Sequence, residues 1–93
     1  MRGKKTDKNQ SVIVKALRQI GCSVFDASSL GKGFPDLVCG YRGKTILLEV
    51  KNPETKWTLT EDQIEFHERW AGGKVLLVTE PQEAIRAVVR NSK

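Results

Sequence analysis

Two apolar runs, Leu37 to Gly40 and Thr45 to Val50, are separated by Tyr41-Arg42-Gly43-Lys44, and this spacing restricts the chain more than any other feature. A two-residue loop with Gly at a position that tolerates positive φ joins antiparallel strands. With Arg42 and Gly43 as the loop, the register follows by counting outward. Tyr41 faces Lys44, Val38 faces Leu47, and Asp36 faces Glu49. Directly opposed side chains have Cβ atoms about 4.5–5.5 Å apart, and like charges there repel. Two carboxylates side by side need compensation. Lys51 points to the same face as Glu49, because side chains alternate along a strand. A divalent cation between the two acids would supply compensation; the alternative is a plain Asp/Glu/Lys ion cluster at a strand end.

The same register sorts the apolar side chains. Val38 and Leu47 share the face of the carboxylates, whereas Leu37, Cys39, Ile46, Leu48 and Val50 share the opposite one. A sheet buried on both faces, polar only at one rim, is the expectation.

Around the hairpin the pattern alternates helix and strand. Ile13, Ala16, Leu17 and Ile20 have helical spacing within Lys8 to Ile20, and Gly21 is placed to stop the helix. Lys15 and Arg18 lie off that stripe, free for phosphate contact or for plain solvation. Ser23 to Ala27 reads as a strand, and Ser28 to Phe34 as a polar loop. Thr60-Glu61-Asp62-Gln63 is a capping box that opens a second helix with Ile64, His67, Trp70 and Ala71 on its apolar face. Gly72-Gly73 ends that helix, and Lys74 to Thr79 is a continuous apolar strand of the kind covered on both faces. A strand reached through a helix lies parallel to its neighbour. Pro81 starts the last helix, with Ala84, Ile85, Val88 and Val89 turned inward. The result is an α/β fold, a mixed four-stranded sheet flanked by helices in the order α-β-β-β-α-β-α.

Ninety-three residues make one small domain. Sixteen basic against eleven acidic residues give a formal charge of +5, which favours a polyanionic partner. Arg2, Lys4, Lys5 and Lys8 concentrate that charge near the start, where residues 1–7 read as a flexible basic arm. No apolar run is long enough to span a bilayer and no signal-peptide core is present, so a cytoplasmic protein with no membrane partner is expected. Cys22 and Cys39 lack metal-ligand spacing and read as buried free thiols. His67, the single histidine, reads as a satisfied half-buried residue.

Antiparallel pairing places the turn at one end of the hairpin and the carboxylates at the other, so the loops 28–34 and 52–59 border the acids. Lys32, Lys56 and Trp57 therefore fall near them. The backbone at Gly31 and Gly33 could approach a phosphate, although turns also use Gly freely. Trp57 could stack on a base or belong to the core.

Pro35-Asp36 followed after a hairpin by Glu49-Val50-Lys51 resembles the PD-(D/E)XK nuclease superfamily. With Gly31-Lys32-Gly33-Phe34 before it and Gln63 after it, the run looks like the VRR-NUC branch. The resemblance covers most of the chain. It implies that Asp36, Glu49 and the backbone carbonyl of Val50 would ligate Mg²⁺, with Mn²⁺ as a substitute, and that Lys51 would orient or activate the attacking water. It raises Gln63, otherwise a capping partner, to a site residue. Relatives carry a Glu in the first helix where Gln10 stands here, which removes one carboxylate from the implied site. The implied activity is metal-dependent cleavage of DNA, at branched structures such as four-way junctions; separately, the small size of the domain and the apolar bulk of Trp57, Phe66, Trp70 and Val89 lead to the expectation of a two-fold homodimer. DNA contacts would come from Gly31, Lys32, Gly33, Lys15 and Lys56. Two other readings stand beside it: a catalytically decayed DNA-binding or assembly module, and a structural protein whose basic arm neutralises nucleic acid.

Overall fold

The computed structural model describes residues 7–93. The expected basic arm lies outside them, except for Asp7, which opens the first helix. Helix α1 (Asp7–Gln19) is followed by strands β1 (Ser23–Asp26), β2 (Leu37–Tyr41) and β3 (Lys44–Val50), helix α2 (Glu61–Arg69), strand β4 (Leu76–Val78) and helix α3 (Pro81–Arg90). The four strands form one sheet in the order β1-β2-β3-β4, antiparallel except for the β3–β4 pair, which is parallel. The expected class, element order and mixed sheet are those observed.

Arg42 and Gly43 both take positive φ, 51° and 79°, as a type I′ turn requires. That turn sets the pairs Tyr41 with Lys44, Val38 with Leu47 and Leu37 with Leu48. One slip in the loop would invert every side chain of β3. Helix α1 ends in a Schellman motif: Cys22 N–H donates to Leu17 O and Gly21 N–H to Arg18 O, with Gly21 at φ 90°. At the start of α3 the Glu80 side chain accepts from the N–H groups of Gln82 and Glu83, with Pro81 in the first turn.

The core lies on one face only. Ile13 and Leu17 of α1 and Ala84 and Val88 of α3 pack against Leu37, Cys39, Ile46, Leu48, Val50 and Val78 of the sheet. Cys22 and Cys39 are buried and free, as expected, and burial pushes the Cys39 thiol up to about 12.

The opposite face corrects the expectation of a sheet covered on both sides. Val38 is half-buried and Leu47 buried, but Phe25 at one edge is 65% exposed and Leu77 at the other 39%. Helix α2 has no buried residue and does not blanket this face. β4 is also shorter than the Lys74 to Thr79 run, although Val75, just before it, is buried.

Candidate functional site

One rim of the sheet collects the chain segments that matter. The C-terminal ends of β1, β3 and β4 and the N-terminal end of β2 meet there, because β2 runs against its neighbours and β4 runs with β3. Ala27 N–H donates to Asp36 O at 2.7 Å, and Lys51 N–H to Val78 O at 3.0 Å, so pairing continues just past the strands.

Asp36 stands immediately before β2, and its Oδ2 accepts from Val50 N–H at 2.9 Å. Glu49 is 1% exposed, next to last in the buried run of β3. Its Oε2 accepts from Gln63 Nε2 at 2.9 Å, whereas its Oε1 is buried without a hydrogen-bond partner. Burial first, then the neighbouring Asp36 carboxyl, pushes Glu49 up to about 8; Lys51 offsets part of this. Lys51 Nζ donates to Gln63 Oε1 at 3.2 Å and lies 3.8 Å from Glu49 Oε2. The same Nζ sits 5.9 Å from the centroid of the Trp57 ring.

Gln63 is both of the things its position allowed. Thr60 Oγ1 accepts from Gln63 N–H and Gln63 Oε1 accepts from Thr60 N–H, which completes the capping box. The same amide reaches Glu49 and Lys51, so the start of α2 is bolted to the rim. Gly33 makes room for it: at φ 80°, a Cβ there would lie 2.1 Å from Asp62 O. This gives Gly33 a packing role against the first turn of α2, while Gly31 requires only its positive φ of 75°.

The remaining predicted residues make no hydrogen bond or ion pair with Asp36 or Glu49 among the described residues. Gln10 is 6% exposed and donates Nε2 to Asp26 Oδ2 at 3.0 Å, at the end of β1 next to the Ala27–Asp36 pairing. Its neighbour Asn9 donates Nδ2 to Lys51 O at 3.0 Å. Lys15 lines a cleft of about 710 Å³ with Gln10, Arg18, Gln19, Asp26 and Ser28. That cleft holds none of Asp36, Glu49 or Lys51, and the buried acids mark the chemistry better than its volume does. Arg18 Nη2 is spent on Val24 O at 2.9 Å. Lys32 is exposed at φ 55° beside Asp62 and Phe66 of α2 and its C-cap Trp70, and Lys56 is exposed in the loop before α2.

The face assigned to α2 is corrected. Ile64 is 43% exposed and Trp70 lies beyond the helix as its C-cap, whereas Phe66 packs edge-on to Phe34 with centroids 5.4 Å apart. Gln63, Phe66 and His67 form the inward arc, spaced three and four residues apart. His67 is half-buried as expected but not satisfied: its Nε2 is buried without a partner, and burial, then Lys51, lowers its pKa. Asn9 and Asp26 were not singled out from the sequence. Asp26 had a readable signal in the Asp-x-Ser turn, where Ser28 N–H and Oγ both donate to Asp26 Oδ1.

Two carboxyls, Asp36 and Glu49, come together at this rim. Glu49 Oε1 is a buried oxygen without a hydrogen-bond donor, and its carboxyl lies beside that of Asp36. Among the described residues no group of three or more His, Cys, Asp or Glu side chains could hold a metal, so such a site would rest on two carboxylates with backbone and water oxygens. Compared with models of known families, with curated proteins and with solved structures, the chain finds no match. No helix among the described residues is long and apolar enough to cross a membrane.

Proposed function

We propose that this protein is a metal-dependent DNA endonuclease that hydrolyses phosphodiester bonds in branched DNA such as four-way junctions. The observation that carries the reading is the buried Glu49 carboxyl, raised by burial and Asp36, with one oxygen unpartnered and a lysine fixed beside it.

Asp36, Glu49 and the carbonyl of Val50 would hold Mg²⁺, or Mn²⁺ in its place. When bound, such an ion supplies neutralisation of charge on the scissile phosphate and a more acidic water. Lys51 positions that water: Gln63 Oε1 anchors its ammonium, which keeps further donors for a ligand. Gln63 also orients Glu49 through Nε2. Asn9 ties the backbone of Lys51 to α1. Lys32 and Lys56 sit exposed on the two loops that flank this rim and offer charge to a DNA backbone.

A two-fold homodimer belongs to the same proposal. Phe25 and Leu77 leave apolar surface on the carboxylate side of the sheet, and a second copy would cover it while presenting two sites to a substrate with approximate two-fold symmetry. The test is cleavage of labelled junction, flap and linear duplex with Mg²⁺ and with chelator. Junction nicking that requires the metal supports the reading; tight binding with no cut under any metal would instead favour the decayed DNA-binding module.

A further inference from the structure

Trp57 lies in the segment between β3 and α2, which carries no helix or strand. The residue is 39% exposed, and its ring takes no part in the aromatic cluster of Phe34, Phe66 and Trp70. Instead it meets a charge, the Nζ of Lys51, 5.9 Å from its centroid. That ammonium is also 3.8 Å from Glu49 Oε2, so the indole and the buried acid flank the same group. A tryptophan serving only the core would hide its ring. Here Lys51 takes one face, and the exposed area remains open to a second partner beside the acids.

We propose that Trp57 is a positioning residue, a stacking platform for the nucleobase next to the scissile phosphate. The inference rests on the nuclease reading and narrows its substrate. A base inside a duplex has both faces covered by its neighbours, whereas a single strand, a flap or a branch point offers a free face. Stacking on an indole is tolerant of sequence because every base has a π face. The cation beneath the ring strengthens the arrangement by drawing the strand's phosphate toward Lys51, with exposed Lys56 as a second contact one residue away. Strands with an unstacked base at the cut would therefore be selected by shape, with no base read.

The chain has two tryptophans, so a Trp70→Phe background isolates the emission of Trp57. In Asp36→Asn, Trp70→Phe protein, labelled single-stranded, junction and blunt duplex DNA are titrated while anisotropy and tryptophan emission are both recorded. We expect binding of the single strand and junction to quench Trp57. Trp57→Ala should weaken binding of both about tenfold to a hundredfold and leave duplex affinity nearly unchanged. Trp57→Phe should restore most of the loss, and in the wild-type background the loss should fall on KM more than on kcat. Binding with unchanged Trp57 emission, or a Trp57→Ala loss that is equal for duplex and unstacked DNA, overturns the platform and leaves the nuclease reading standing. Failure to bind any of the three DNAs overturns both.

Discussion

Gln63 satisfies the backbone of its own helix and the side chains of Glu49 and Lys51 with one amide, which gives buried Glu49 one of its hydrogen bonds. Glu49 is still costly. Its folded-state pKa of about 8 stands above the ordinary 4.5, so the folded metal-free protein holds that proton more tightly than the unfolded chain does. The stability from this group is complete below the unfolded value and is lost as pH rises through about 8. Denaturation midpoints of metal-free protein should therefore fall between about pH 5 and 9. Glu49→Gln should flatten that slope and be the more stable protein at its upper end, and saturating Mg²⁺ should flatten it in the wild type by favouring the ionised form. An unchanged slope in Glu49→Gln would remove Glu49 as its source. For the chemistry, Asp36→Asn and Glu49→Gln should each lose at least about a hundredfold in cleavage rate and weaken metal binding. Lys51→Ala should lose cleavage to a similar degree yet bind metal in a calorimetric titration, because an ammonium cannot coordinate a cation. Equal loss of metal affinity in Lys51→Ala would make Lys51 a structural support for the acids.

At the scale of elements, the hairpin was legible in the sequence to the residue, because a two-residue loop leaves one register and apolar residues on both faces punish a slip. The capping box of α2 and the Gly21 stop of α1 were equally readable, since both are local patterns with local causes. What escaped is tertiary. The inward face of α2 cannot be found from apolar spacing when its anchor is a glutamine, and the open face at Phe25 and Leu77 cannot be found from strands that are apolar throughout. Gln10 was placed by analogy with a glutamate; its actual partner is Asp26, across from α1. Gln10→Glu would exchange the hydrogen bond to exposed Asp26 for a like-charge contact at a buried position, so it should destabilise the protein by about 1 kcal/mol. Gly33→Ala should cost about 2 kcal/mol or more, from its positive φ and from collision with Asp62 O, and should reduce cleavage by shifting Gln63. Chemical denaturation and cleavage measured on the same variants check both. A Gly33→Ala protein as stable as wild type would mean that α2 is not held against this loop.

For the whole molecule, a single core between one sheet face and two helices leaves the other face with exposed Phe25 and Leu77, which is the surface a second copy would cover. Sedimentation or light scattering should give the mass of a dimer, and Phe25→Asp should return it to a monomer; a wild-type mass of one chain would remove two-site cutting from the account. The net charge of +5 should make DNA binding fall steeply as salt rises, for linear and branched DNA alike, because that part of affinity is phosphate contact. Preference for branches must come from elsewhere, from the spacing of two sites and from the free base faces offered to Trp57. The central claim is that Asp36, Glu49 and Lys51 form one metal-dependent hydrolytic site, and the most direct measurement is cleavage of a labelled four-way junction by wild type and by Asp36→Asn, each with Mg²⁺ and with chelator. The account predicts nicking by wild type with Mg²⁺ alone and by neither protein in chelator. Cutting that survives in Asp36→Asn or in chelator, or wild type that leaves the junction whole in Mg²⁺, would contradict it.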